Sequence, residues 1–306
     1  MQGASKQNNE SDLTNTTSGG TDHQRQSVGQ RWLTALIVMP IVLVFAGIGG
    51  WAAFIAVAFV VTTTMLELHS MLSHAGYRPI IWLSFALSFL FLVAAMFPGQ
   101  RPVILEVGWS CALLLSFPCF FLRKDLSGVV VDWALTLAVP LYLGWSMSFF
   151  LLLRGYTLPA ILFPNSPWLV LPRSCWWLLV TLLGVWGFDS AAFFTGRYLG
   201  RHKLAPHISP GKTWEGVAGG MVLSILAALL FTVVPLGLPW YLAVLLGILV
   251  GTAAVVGDLG ESLIKRQTHV KDSGQIMPGH GGLLDRIDSL LLAVVVVYLF
   301  TLLVGL

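Results

Sequence analysis

Acidic, basic and glycine residues are concentrated in one short segment near the carboxyl end of the chain, just before its last apolar run. From Ser262 to Asp288 the segment contains S-x-x-K-R, then K-D, then H-G-G-L-L-D-R-I-D. Carboxylates bind cations, lysine and arginine bind anionic oxygens, and glycine lets backbone N–H groups approach an anion closely. This combination predicts a site that handles phosphate groups together with a metal ion.

Helical spacing places four polar residues of this segment on one face. Positions i, i+3, i+4 and i+7 of a helix lie in line. Here they are occupied by Asp258, Glu261, Ser262 and Lys265. The shared face requires that the apolar helix before Asp258 continues through the polar segment.

A second pair of carboxylates lies at the start of the last apolar run. Asp285 and Asp288 are three residues apart, so two helix ends can direct carboxylates to one place. Oxygen ligands without His or Cys partners suit a hard cation such as Mg²⁺, which takes one or two carboxylates plus phosphates and water. We therefore predict Asp258, Asp285 and Asp288 as metal ligands.

The alternative is that these carboxylates are structural. Asp285 with Arg286, and Asp258 with Lys265, would then be salt bridges that anchor helix ends. Each residue taken singly favours that interpretation. A cluster of carboxylates near a bilayer favours a functional site, because each costs about 2.5 to 3.5 kcal/mol even on the lenient insertion scale.

Residues 196–215 form a second polar segment. Ser209 followed by Pro210 predicts a helix start, with Ser209 as N-cap, Pro210 at the first helical position and Lys212 in the first turn. A lysine beside a helix start makes an anion site. Arg197 adds a cation at the end of the preceding helix. The alternative is an ordinary loop whose basic residues bind anionic lipid headgroups.

The composition is that of a membrane protein. Hydrophobic residues make up 56% of the chain and charged residues only 10%, far from the averages of soluble proteins. The three cysteines show no C-x-x-C spacing, so neither a disulfide framework nor a zinc site is predicted. We predict an all-α polytopic helical bundle with about nine transmembrane segments. They run approximately over Trp32 to Gly49, Trp51 to Leu66, Ile80 to Phe97, Val103 to Leu122, Val129 to Leu153, Cys175 to Thr195, Gly216 to Leu236, Trp240 to Gly257 and Ile287 to Gly305.

The distribution of positive charge predicts the orientation. If the amino terminus is cytosolic, only Arg101, Arg154 and Arg173 among the 17 Lys and Arg residues fall outside the cytosolic segments. Such a bias is typical of the positive-inside rule. Both polar segments, 196–215 and 258–286, are then cytosolic.

The chain divides into two parts. Residues 1–30 are rich in Gln, Asn, Ser, Thr and Gly and are predicted to be a disordered polar tail without the features of a secretory signal. Residues 31–306 are predicted to form the membrane-embedded catalytic domain, with the two polar segments as its active site.

The polar segments resemble the signature of the phosphatidate cytidylyltransferase (CDP-diacylglycerol synthase) family. That signature is S-x-x-K-R, four residues, K-D, then H-G-G-x-x-D-R-x-D. It is matched by Ser262, Lys265, Arg266, Lys271, Asp272, His280, Gly281, Gly282, Asp285, Arg286 and Asp288. The run S-P-G-K-T-W-E-G from Ser209 resembles a second block of the family. Two positions depart from the family pattern. Met277 replaces another apolar residue, and Gly211 stands where many members have a second lysine.

The resemblance implies a nucleotidyl transfer. The phosphate of phosphatidate attacks the α-phosphorus of CTP, which gives CDP-diacylglycerol and pyrophosphate for phospholipid synthesis. One or two Mg²⁺ ions are expected, for which Mn²⁺ can substitute. CTP, phosphatidate and the lipid bilayer are the expected partners, nucleic acid is not, and a homodimer is left open. The expected location is a bacterial cytoplasmic membrane, with the site on the cytosolic side.

The two segments and the resemblance together assign roles to individual residues. Catalysis is expected of Asp258, Asp285, Lys265 and Arg286. Substrate binding is expected of Arg197, Ser209, Lys212, Ser262, Arg266, Lys271, His280, Gly281 and Gly282.

Two other functions compete with this one. Another CTP-dependent lipid enzyme, such as a polyprenol kinase, would transfer the γ-phosphate and release CDP in place of pyrophosphate. A transporter or channel would use Asp189, Asp258 and Asp285 to line a pathway. A transport pathway favours charges near helix midpoints, whereas these acids cluster at predicted cytosolic ends.

Overall fold

Eight helices and one short hairpin make up most of the part of the chain that the computed structural model describes, which comprises residues 44–45, 47–155, 172–274 and 281–305. The helices are α1 (Gly50–His74), α2 (Ile81–Met96), α3 (Arg101–Phe121), α4 (Val129–Gly155), α5 (Arg173–Leu199), α6 (Trp214–Leu236), α7 (Trp240–Gln267) and α8 (Leu284–Val304). The hairpin lies between α5 and α6 and pairs β1 (Lys203–Ala205) with β2 (Ser209–Thr213) in antiparallel orientation.

The helices have the length and composition of membrane spans. Seven of those in the described residues are long and apolar enough to cross a bilayer, and α2, with 16 residues, is a shorter apolar helix. The predicted all-α polytopic membrane architecture is confirmed. Eight of the predicted segments correspond to α1 through α8. The first one, Trp32 to Gly49, and the tail of residues 1–30 lie largely or wholly outside the described residues, so the count of nine stays a prediction.

Helix ends differ from the predicted spans where a helix continues past its apolar part. Gly49 and Gly50, just before and at the start of α1, have φ angles of +70° and +56°, which favour glycine. From there α1 runs to His74, well beyond the predicted end at Leu66. An apolar stretch marks only the part of a helix that lies in hydrocarbon, so polar turns beyond it are not counted.

Pro140 changes the geometry of α4. Proline has no N–H to donate to the carbonyl four residues earlier, here Thr136. The hydroxyl of Ser84 on α2 donates to that carbonyl at 2.9 Å, and the helix passes through a π-helical turn over Leu141–Trp145. A proline in α4 thereby creates a polar contact that fastens α2 to it.

Glycines allow the four helices α5 to α8 to approach closely. A Cβ at Gly257 of α7 would collide with the carbonyl oxygen of Asp288 on α8, and one at Gly247 would collide with Ile225 on α6. Close backbone approach at small residues is a common way to pack membrane helices. The crossing at Gly257 brings Asp258 beside the first turns of α8.

The helix start predicted at Ser209 and Pro210 is wrong. These residues lie in β2, and α6 begins at Trp214 with Thr213 as its N-cap, whose Oγ1 accepts a hydrogen bond from the N–H of Gly216 at 3.1 Å. These residues form a strand because β2 pairs with β1. Pro210 is tolerated there because both strands of a two-stranded hairpin are edge strands. Lys212 therefore lies in a strand and not in a first helical turn.

Candidate active site

One face of α7 carries the polar residues predicted to share it, since α7 continues through them to Gln267. The ammonium group of Lys265 lies 2.6 Å from Oε2 of Glu261 and 2.7 Å from Oδ1 of Asp285. The side chain of Glu261 is 1% exposed and that of Lys265 is 16% exposed. Lys265 thus compensates two largely buried carboxylates, one on its own helix and one on α8.

Asp285 is held by backbone and side-chain donors from the loop before α8. Its Oδ2 accepts hydrogen bonds from the N–H of Gly282 at 2.9 Å, from the N–H of Ser273 at 3.1 Å and from the hydroxyl of Ser273 at 3.0 Å. With Lys265 on Oδ1, donors approach both oxygens. This arrangement fixes the carboxylate in one orientation and favours its ionised form.

Two contacts join the hairpin to α7. Lys212 of β2 forms an ion pair with Asp258. The Nε–H of Arg266 donates to the carbonyl oxygen of Ile208 at 3.1 Å, in the turn of the hairpin. The structure therefore brings the two polar segments, which are separated by the whole of α6 and most of α7, to one place.

Three carboxylates lie near this junction. Asp189 on α5 and Asp288 on α8 interact electrostatically with each other, and both interact with Asp258 on α7 and with Lys212. Asp288 is buried and accepts the N–H of Ser289 at 2.6 Å, whereas Asp189 is exposed. Repulsion among them makes the region attractive to a cation.

The carboxylates of this region are oxygen donors of the type that Mg²⁺ prefers. Among the residues that the structure describes, no group of three or more His, Cys, Asp or Glu side chains forms a ready-made metal cluster. Mg²⁺ rarely uses such a cage, because it keeps water ligands and binds one or two carboxylates plus substrate phosphates. The ammonium groups of Lys212 and Lys265 lie against Asp258 and Asp285, at the positions where a metal ion bound to these carboxylates would compete with them.

Other predicted substrate-binding residues lie around this centre. Ser262 has its hydroxyl 3.5 Å from Oδ1 of Asp258, at the limit of a hydrogen bond. Arg197 at the end of α5 and Lys271 after α7 are exposed and form no ion pair within the described part of the chain. Arg286 is exposed in the first turn of α8, and Ser209 is half-buried in β2.

The glycine pair has a structural task. Gly281 adopts a φ of +80°, which favours glycine, and a Cβ there would come within 2.9 Å of Oδ2 of Asp285. The N–H of Gly282, predicted to reach an anionic ligand, donates to Asp285. His280, the neighbouring predicted ligand, lies outside the described residues.

Glu67 and Ser273 are parts of the site that the sequence did not indicate. Glu67 on α1 is buried, and its two oxygens accept the N–H groups of Leu283 and Leu284, each at 2.8 Å. The signal that could have identified Glu67 is an acidic residue beside a predicted membrane span, which is a functional-site candidate. The predicted span ends at Leu66, one residue before Glu67.

A family model and one relative match nearly the whole chain, and two further relatives match 38% and 37% of it. A sequence model of the Cytidylyltransferase family matches residues 29–304. A phosphatidate cytidylyltransferase of Synechocystis sp. is 32% identical over 299 residues, which cover 90% of this chain and 96% of that protein. Proteins of the same name from Haemophilus influenzae and Bacillus subtilis are 45% and 46% identical over 124 and 115 residues, spanning 42% and 43% of their own lengths.

Proposed function

Since this chain belongs to the cytidylyltransferase family, we propose that it is a phosphatidate cytidylyltransferase, which transfers CMP from CTP to phosphatidate and releases pyrophosphate. The observation that carries the proposal is the 32% identity with the Synechocystis phosphatidate cytidylyltransferase, which extends over 96% of that protein. The paired carboxylates and lysines at the junction of the hairpin, α7 and α8 are what such chemistry requires.

The nucleophile needs no general base. A phosphate monoester has a second pKa of about 6, so phosphatidate is largely dianionic near neutral pH. Its oxygen forms a bond to the α-phosphorus of CTP, and the bond from that phosphorus to the bridging oxygen of pyrophosphate breaks. Catalysis then consists of alignment and charge neutralisation, which positioned cations can supply.

Magnesium would be held by Asp258 and Asp285, with Asp288 beside them. When bound, Mg²⁺ neutralises charge on the phosphates that attack and leave. The protein itself orients the ligands, because Ser273 and Gly282 hold Asp285, and Lys212 and Lys265 compensate the carboxylates. One or two ions fit this set, and Mn²⁺ has the same preference for oxygen ligands.

Phosphate binding is assigned to the exposed cations around the carboxylates. Arg197 and Lys271 form no ion pair within the described residues, so their charges are available to a triphosphate or to a lipid phosphate. Arg266 and Arg286 lie on the two helix ends that border the site. The acyl chains of phosphatidate would remain in the bilayer beside the helices.

A cytosolic location of the site is part of the proposal. Contacts near the hairpin link the ends of α7, α1, α4 and α3. The side-chain amide of Gln267, at the end of α7, donates to the hydroxyl of Tyr77 just after α1 at 3.4 Å, and Tyr77 precedes Arg78. The backbone N–H of Arg78 donates to Asp132, which also pairs with Arg123. The predicted cytosolic arginines are therefore at the same end as the active site.

The activity is tested with purified protein, phosphatidate vesicles, Mg²⁺ and CTP labelled at either the α- or the γ-phosphate. We expect pyrophosphate release and transfer of the α-label to lipid, with CTP preferred over the other three nucleoside triphosphates. Transfer of the γ-label with release of CDP would show a lipid kinase instead. Failure to transfer either label would contradict the proposal.

A further inference from the structure

Glu67 is far in sequence from the predicted site segments but lies at the amino end of α8, the helix that carries Asp285 and Asp288. Its partners Leu283 and Leu284 are 216 and 217 residues away. We propose that Glu67 is a positioning residue for the reaction, which holds the first turn of α8 so that Asp285 and Asp288 face α7. The identity of the reaction rests on the proposed function. The hydrogen bonds of Glu67 do not depend on it.

The first turn of α8 has no cap of its own. A helix begins with N–H groups that lack intrahelical partners, and Ser, Thr, Asp or Asn at the N-cap usually satisfies one of them. The N-cap of α8 is Leu283, whose side chain has no acceptor. Glu67 supplies two acceptors from another helix, at 2.8 Å from Leu283 N and 2.8 Å from Leu284 N.

Burial of Glu67 makes sense only with these partners. Glu67 is 4% exposed and is the only acidic residue of α1, and an unpaired carboxylate at this buried position would be costly. Two N–H donors at a helix start, where the partial positive charge of the helix dipole lies, compensate the negative charge. The amino end of α8 is thus filled by a protein carboxylate and is not a site for a substrate phosphate.

Ser273 connects Glu67 to Asp285. Its hydroxyl lies 3.0 Å from Oδ2 of Asp285 and 3.4 Å from Oε2 of Glu67. The single hydroxyl hydrogen can point to only one oxygen at a time, and the shorter distance favours Asp285. Ser273 therefore packs between the two carboxylates and transmits a displacement of one to the other.

Glycines make room for this arrangement. A Cβ at Gly274 would lie 2.8 Å from Oε1 of Glu67. A Cβ at Gly282 would collide with the hydroxyl of Ser273 and lie 2.8 Å from Oε2 of Glu67. The loop between α7 and α8 is therefore shaped around the Glu67 carboxylate at two positions, which a simple helix cap would not require.

The inference is tested with Glu67→Gln in the full-length protein, and Glu106→Gln serves as the matched control because Glu106 is exposed on α3. The glutamine oxygen can accept one N–H, but its NH₂ group faces the other donor. We expect kcat to fall by about 10- to 100-fold, the usual effect of losing a group that orients a ligand. The KM for CTP should change by no more than about twofold, since both oxygens of Glu67 already accept backbone N–H groups.

Hydrogen exchange provides a readout that is independent of catalysis. The amides of Leu283 and Leu284 should exchange faster in Glu67→Gln, whereas amides in the middle of α8 should not. Faster exchange at these two amides with wild-type kcat would overturn the inference, because Glu67 would then only cap a helix. Unchanged exchange would overturn it as well, and so would a raised KM with unchanged kcat.

A second variant keeps the test open if Glu67→Gln does not fold. Glu67→Asp retains the charge but is shorter by one methylene, so it cannot reach both N–H groups at the native distances. A smaller loss of kcat and faster exchange at the same two amides are expected, and wild-type kcat with faster exchange would overturn the inference. Absence of turnover in the wild-type protein would instead contradict the proposed function and leave the exchange result intact.

Discussion

The ammonium group of Lys265 lies 2.7 Å from Oδ1 of Asp285 and fastens the end of α7 to the start of α8. The same ammonium lies 2.6 Å from Glu261, which is fully buried. One lysine thus compensates two carboxylates that are both largely buried. The contact between Lys265 and Asp285 joins two helices and is also part of the candidate site. Its loss is therefore expected to affect both the stability of the protein and its turnover.

Removal of Lys265 should destabilise the protein. Lys265→Met leaves Glu261 and Asp285 without their common cation, and breaking a buried pair in this way costs about 3 to 5 kcal/mol. The melting temperature in detergent should therefore fall, and Lys265→Met with Glu261→Gln should recover part of the loss. Lys271→Met is the matched control, because Lys271 is exposed. An unchanged melting temperature in Lys265→Met would contradict this interpretation.

The membrane orientation can be read by cysteine labelling after Cys111, Cys119 and Cys175 have been replaced by alanine. Lys203→Cys in β1 and His269→Cys after α7 should react from the cytosol only. Gln100→Cys, in the connection between α2 and α3, should react only from the other side. The contact of Arg266 with Ile208 requires the first two positions to share a face. Labelling of those two from opposite faces would exclude the two-segment site.

Helical elements could be predicted from the sequence because their signals are local. The spacing of Asp258 and Lys265 on α7, and the start of α8 near Asp285, follow from the helical period and the apolar runs. The hairpin was missed because Ser209 and Thr213 both precede plausible helix starts. The choice between them depends on pairing of Lys203 with Thr213, which no local pattern specifies.

Long-range partners explain the rest of what the sequence did not reveal. The acceptors for the first turn of α8 come from Glu67, 216 residues before Leu283. Asp285 was predicted as a metal ligand, but its fixation by Ser273 and Gly282 depends on the fold of the loop. Sequence spacing identified the charged groups, and the tertiary structure determined which of them compensate one another.

Metal dependence is a direct test of the predicted Mg²⁺ site. Turnover should vanish on addition of a chelator and return with Mg²⁺ or Mn²⁺, because both prefer oxygen ligands. The wild-type protein should also melt at a higher temperature with Mg²⁺ than without it, since a ligand that binds only the folded state stabilises it. Asp258→Asn should lose most of that increase. Full turnover in excess chelator would exclude a metal requirement.

The ion pair between Lys212 and Asp258 separates the two interpretations of the carboxylates. If the pair is only a structural salt bridge, it contributes about 0 to 1 kcal/mol, and Lys212→Ala and Asp258→Asn should have similarly small effects on turnover. If Asp258 binds the metal, Asp258→Asn should abolish turnover in a protein that inserts and folds. A double-mutant cycle with Lys212→Ala measures how far the two effects are coupled. Near wild-type turnover in Asp258→Asn would favour the salt bridge.

Asp285→Asn is the sharpest test of the site. Asparagine keeps the size and one oxygen of the carboxylate, so the N–H groups of Gly282 and Ser273 can retain an acceptor, but the charge is lost. We expect cytidylyl transfer to fall by about 100-fold or more, at or beyond the upper end of effects seen when a supporting group is removed. Asp272→Asn is the matched control, since Asp272 is exposed in the same loop and should affect transfer much less. Transfer by Asp285→Asn at near wild-type rates under saturating Mg²⁺ would show that Asp285 serves only to pair with Lys265, and the site at the junction of α7 and α8 would have to be abandoned.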